Sequence, residues 1–354
     1  MSKISLQDHS DYLSNFNVKR ATAGVWPAPD IALGLGRRMI PAISLSLISL
    51  TASCNFDRSE EGRDAEEVIQ TFISPRDADI LIADLSSDSE GIPVVGALTN
   101  LTQRPDYDNQ PYFTPDASGI WYTANDPQNG QSDIWRYDFA TESVTRITQS
   151  APESEYSATA LPDGSGISVI RVEADSMQRL WRFDLDGSNA SLILPQIAPV
   201  GYHKWINEST VAMFVLGNPA TLQVGDLETG QARILTEDIG RSIHNIPGTE
   251  DISYVQRHED GSATIMRLPG RGGPPERISE AVSQGDFHAW TPDHFLLMTD
   301  GPLIFARRYE PEASWKQIAD FSDLHLNLSR LAVSPDGTQI ALVAELDALE
   351  LPAN

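Results

Sequence analysis

The chain repeats one short hairpin signal six times, and that repetition limits what it can fold into. "YFTPDASGIWYT" (112–123), "TALPDGSGISVI" (159–170), "HKWINESTVAMFV" (203–215), "HNIPGTEDISYV" (244–255), "HAWTPDHFLLMT" (288–299) and "LAVSPDGTQIALV" (331–343) each read as strand, tight turn, strand. With Pro115, Pro162, Asn207, Pro247, Pro292 and Pro335 as equivalents, the intervals are 47, 45, 40, 45 and 43 residues. Proline presets φ for a turn, aspartate bonds back to the following backbone, and a nearby glycine accepts positive φ. The strand that follows is apolar and rich in β-branched and aromatic residues, as in Ile340-Ala341-Leu342-Val343.

A second hairpin follows each of the first five. "SDIWRYDFATESVTRIT" (132–148), "QRLWRFDLDGSNASLIL" (178–194), "ATLQVGDLETGQARILT" (220–236) and "ATIMRLPGRGGPPERIS" (263–279) share one form, and "PLIFARRYEPEASWKQIA" (302–319) follows it more loosely. Four strands in this span are the unit of a propeller blade. The sixth hairpin ends the repeat without an outer pair, but an orphan outer pair, "ADILIADLSSDSEGIPVVGALT" (78–99), precedes the first hairpin. Asp79-Ile80-Leu81 aligns there with Asp133-Ile134-Trp135. The expected fold is therefore an all-β, six-bladed β-propeller over 78–346. N-terminal outer strands and C-terminal inner strands share its last blade, which leaves no open ring edge.

Upstream, "GRRMIPAISLSLISLTASC" (36–54) has a positive flank at Arg37 and Arg38, an apolar run and small residues before Cys54. That is the build of an export signal, too short to span a membrane. It resembles a bacterial lipoprotein signal, which implies lipidation of Cys54; position −3 is Thr51, where such signals usually carry leucine. Cleavage after Ser53 to leave a soluble exported protein is the other reading. Residues 1–35 fit neither role and read as an extension or an over-long start. Residues 54–77, with "DRSEEGRDAEE", read as an acidic tether, and 347–354 as a tail. A single cysteine excludes a disulfide within the chain.

An aromatic residue two places before Pro-Asp-Gly, followed by an apolar strand, is similar to the WD40-like (PD40) repeats of TolB-like six-bladed propellers. "TPDASGIWY", "LPDGSGISV", "TPDHFLLM" and "SPDGTQIAL" match well, whereas "INESTVAMF" and "PGTEDISYV" depart from the pattern. The resemblance covers 78–346. It implies an envelope protein, and Asn55 after the cysteine implies an outer-membrane lipoprotein facing the periplasm. TolB itself carries a folded α/β domain ahead of its propeller, where this chain has the 24 residues 54–77.

A net charge of −25 argues against nucleic-acid and anionic-membrane partners; neutral, cationic or metal-bridged ones fit better. Membrane attachment is expected only through Cys54. The sequence has no G-x-S-x-G elbow, P-loop or dinucleotide fingerprint. Ligands of propellers bind at a channel mouth, near the innermost strands. The expected mouth residues are Asn109, Gln110, Tyr156, Tyr202, Asp286 and Phe287, which suit a sugar or a peptide. His203, His288 and Asp286 form an alternative set that would hold one divalent metal. His203 and His288 equally fit a space-filling role between blades, sharing a register with Trp205 and Trp290. His244 lies one place out of that register and would point to the other face. Two functions follow: a non-catalytic envelope scaffold that needs no cofactor and binds a protein or glycan, or a metal-dependent lyase or lactonase acting on a sugar acid. TolB-like propellers use such a face to contact a peptidoglycan-associated lipoprotein, a role that comes here by resemblance alone.

Overall fold

A computed structural model describes residues 78–346, apart from Pro105, Pro127, Asn129 and Arg271. The extension at 1–35, the export segment, Cys54, the tether and the 347–354 tail lie outside the described residues.

The described strands form six antiparallel sheets. In blades 1 to 5 the strands lie in sequence order from the innermost outward. The five innermost strands are Asp108–Phe113, Ser154–Ala160, Val200–Trp205, Ile239–Asn245 and His288–Trp290. Blade 6 joins the two ends of the described chain: Leu326–Val333 and Gln339–Leu346 supply its inner pair, and Asp79–Ser87 pairs with Gln339–Leu346 from the other side. Pro93–Val95 and Thr99–Asn100 complete it. The register Leu81↔Leu342 fixes the closure. The alignment of Asp79-Ile80 with Asp133-Ile134 holds in atomic detail. Ile80 N–H donates to Thr102 Oγ1 at 3.1 Å and Ile134 N–H to Thr148 Oγ1 at 2.9 Å, each threonine also touching its blade's aspartate.

Each blade is covered on both faces by its neighbours, which explains the continuous apolar runs of the second strands. Ile340 to Ala344 are all fully buried. Six apolar clusters fill the six junctions. Ile80, Phe113, Ile120, Tyr122 and Ala341 join blades 6 and 1, and Trp121, Ile134, Ile167, Val169 and Phe183 join blades 1 and 2. The other four clusters continue the series to Leu297, Ile304, Leu331 and Leu342 between blades 5 and 6.

The inner turns behave as their composition requires. In blade 6 Ser334 N–H bonds Gln339 O, Gly337 N–H bonds Ser334 O, and Asp336 Oδ1 accepts from the Ser334 hydroxyl and the Thr338 N–H. Gly164 and Gly337 adopt φ near +70° at equivalent places, where Ala117 and His294 take the same left-handed conformation at φ 55° and 63°; in blade 4 Gly248 does so one place earlier in the turn. Among the described residues no helix is long and apolar enough to cross a membrane.

Candidate functional site: the propeller channel

The innermost strands surround a cavity of about 570 Å³, to which all six blades contribute. It runs from the level of Gln110, Ser157, Tyr202, Ser242, Phe287 and Arg330 to the turn prolines Pro115, Pro247, Pro292 and Pro335. Register shifts interrupt the inner strands of blades 1, 2, 3, 4 and 6 at or beside this level. Gln110 and Ser157 sit at these shifts with φ of 56° and 57°. Such bulges re-aim side chains at the rim of a sheet.

Arg330 spans the channel from blade 6 to blade 3. Its Nη2 donates to the Tyr202 hydroxyl at 2.8 Å, and its guanidinium lies 5.0 Å from the Tyr202 ring centre and 4.1 Å from that of Phe287. Lys204 of blade 3 reaches toward blade 1, with Nζ 4.9 Å from the centre of the Tyr112 ring. These are cation–π distances. Gln110 Oε1 accepts from Ser157 N–H and the Thr123 hydroxyl, both at 2.8 Å. Burial pushes the neighbouring Tyr107 phenol well above its ordinary range, opposed by the charge of Arg330.

The histidines have a different task. His203 Nε2 is 2.7 Å from Ser168 Oγ, and Trp205 Nε1–H donates to the same hydroxyl at 2.8 Å. In blade 5 the pattern recurs: His288 Nε2 is 2.8 Å from Ser253 Oγ, and Trp290 Nε1–H donates to it at 2.8 Å. In both cases a His-x-Trp pair on an inner strand clips onto a serine in the second strand of the preceding blade. Burial lowers both imidazoles to about 3, His203 with a smaller contribution from Lys204. His244 is also held well below its usual range, by burial and then by His288, whose ring centre lies 4.9 Å away.

The expected mouth residues divide. Gln110, Tyr202 and Phe287 line the cavity, whereas Asn109, Tyr156 and Asp286 do not. Asn109 is buried and its Oδ1 accepts from Gln110 N–H at 2.7 Å; Tyr156 packs against the junction of blades 2 and 3. Asp286 is held by Arg257, with Nε at 3.0 Å, and by Arg241 at 3.7 Å. The metal set is not brought together. His203 and His288 stand on blades 3 and 5, each turned by Nε2 to its own serine, and Asp286 is occupied by arginines. Among the described residues no three His, Cys, Asp or Glu side chains converge as a ligand set. The residues present do not fit a bound metal ion.

Sequence reasoning missed Lys204, Arg241 and Arg330. Lys204 and Arg330 lie at odd offsets before the turn, together with Tyr112, Tyr202 and Phe287, whereas the even offsets hold His203, Trp205, His288 and Trp290; Arg241, at an even offset, falls within the register shift between Ile239 and Ile243. Side chains alternate along a strand, so reading the even parity showed the blade junction and not the channel.

No protein-family model and no curated sequence matches the chain. Solved structures do match. TolB from Acinetobacter baumannii is 13% identical with a TM-score of 0.50, over 76% of this chain and 64% of that one. A putative TolB from Agrobacterium tumefaciens is 14% identical with a TM-score of 0.54, over 76% of this chain and 98% of that one. A chain of a nidogen/laminin complex reaches 0.53 at 12% identity, over 72% of this chain and 97% of that one. The protein is a six-bladed β-propeller of TolB-like fold. It spans 64% of the length of the Acinetobacter protein. The nidogen/laminin match is as good as the TolB ones, so the fold alone names no function.

Proposed function

We propose that this is a non-catalytic binding propeller of the bacterial envelope, exported through 36–53, anchored by lipid at Cys54, and engaging a protein or glycan at its channel mouth. The observation that carries the reading is the cavity of about 570 Å³ on the ring axis, within the size range of ligand sites, to which every blade contributes. The turn prolines Pro115, Pro247, Pro292 and Pro335 border one end of this cavity and form the proposed mouth. The histidines that line it serve the blade junctions and stay neutral, so their chemistry is structural. The lyase or lactonase alternative loses support because its expected ligand set is dispersed.

Photo-crosslinking tests this. A photoreactive residue in place of the exposed Pro292 or Pro335 captures the partner in envelope preparations, and one in place of Val144 on an outer strand does not. Capture at Val144 alone, or turnover of an acidic polysaccharide by the purified protein, contradicts the proposal.

A further inference from the structure

We infer that the channel grips carboxylates, carried on an acidic segment of a protein partner. The inference rests on the channel-binding reading above and adds the sign and source of what is bound. Three cations line the cavity, Lys204, Arg241 and Arg330, from blades 3, 4 and 6, and none of the lining residues is Asp or Glu. That local sign opposes a chain whose net charge is −25.

Two of the three, Lys204 and Arg330, are held in place without being neutralised, while Arg241 shares the carboxylate of Asp286. Among the described residues neither Lys204 nor Arg330 makes an ion pair; their supports are the Tyr112, Tyr202 and Phe287 rings and the Tyr202 hydroxyl. Arg241 is only 3.7 Å from Asp286, whose carboxylate Arg257 already holds on both oxygens. Gln110 has its carbonyl pinned twice, which leaves its NH₂ as a further donor on the cavity wall. Half-buried cations without counter-charges are costly, and an incoming carboxylate relieves that cost. A guanidinium fixed in plane by two rings is preorganised for a bidentate carboxylate.

The aromatic faces decide between a peptide and a sugar. A sugar ring stacks on a bare aromatic face, but here Arg330 covers Tyr202 and Phe287, and Lys204 covers Tyr112. What the cavity offers is charge and N–H donors, which aspartate and glutamate side chains use best.

Calorimetric titration of the purified full-length chain with hexaglutamate, hexaglutamine and a trimer of galacturonate tests the inference. Hexaglutamate is expected to bind at least about tenfold more tightly than hexaglutamine. Arg330→Gln and Lys204→Met each weaken it by about tenfold or more, while Arg233→Gln on an exposed outer strand leaves it unchanged. Equal binding of hexaglutamine, an equal loss in Arg233→Gln, or tighter binding of the galacturonate trimer overturns it. Lys204→Met carries the comparison alone if Arg330→Gln fails to fold. Crosslinking at Pro292 without any charge dependence defeats this inference and spares the channel reading; loss of both defeats the two together.

Discussion

Ser168 and Ser253 perform one task in two places: each hydroxyl joins an indole N–H and an imidazole Nε2 across a blade junction. Ser253→Ala removes the partner of two buried groups at once. It is expected to cost about 2–3 kcal/mol in denaturant unfolding, against about 0.5 kcal/mol or less for Ser165→Ala at an exposed turn. The neighbouring imidazole gives a pH signature. His288 is lowered from 6.5 to about 3, so within that window the unfolded chain binds the proton that the fold refuses. Stability therefore falls as pH drops below 6.5. Urea midpoints measured between about pH 4 and 6 should show His288→Gln with a slope shallower than wild type by up to about 1.4 kcal/mol per pH unit. An unchanged slope would mean that His288 is solvated. The two histidines were visible in the sequence as partners of Trp205 and Trp290. Their serines were not, because Ser168 and Ser253 sit 35 residues earlier, on another blade, with no local pattern to mark them.

At the scale of elements the hairpins were the most legible part of the chain, because turn chemistry is local. Even the degenerate third copy follows the rule: Asn207 Oδ1 accepts Ser209 N–H at 3.0 Å, as Asp163 does from Ser165 in blade 2. The left-handed residue of the turn is where composition and conformation disagree. Ala117 occupies at φ 55° the place that glycine fills in blade 6. Ala117→Gly should relieve the Cβ clash of that conformation and stabilise the protein by about 0.5 kcal/mol, after the greater freedom of glycine in the unfolded chain is offset. A lower melting temperature in that variant would show that the alanine side chain contributes packing there. Channel and junction faces were harder to assign. One residue of parity separates Lys204 from His203 and Trp205, and the bulges at the inner ends shift the alternation locally.

At the scale of the whole molecule, net charge and site charge are separate quantities. The acidity of the chain describes its surface, and beyond about 10 Å salt screens that field, while the channel presents cations to whatever enters it. No single segment announces this, since the three cations come from three blades and meet only when the ring is closed. The closure is thus the claim on which the channel depends, and the registry of blade 6 states it at residue level. Asp84 pairs with Gln339 across the two halves of the chain. Opposed residues in antiparallel strands lie about 4.5–5.5 Å apart, within disulfide range. The most direct measurement is oxidation of an Asp84→Cys, Gln339→Cys variant in a Cys54→Ala background, followed by non-reducing electrophoresis and thermal unfolding. Closure predicts a monomeric, internally crosslinked species with a raised melting temperature. Free thiols, or crosslinks only between molecules, would contradict it.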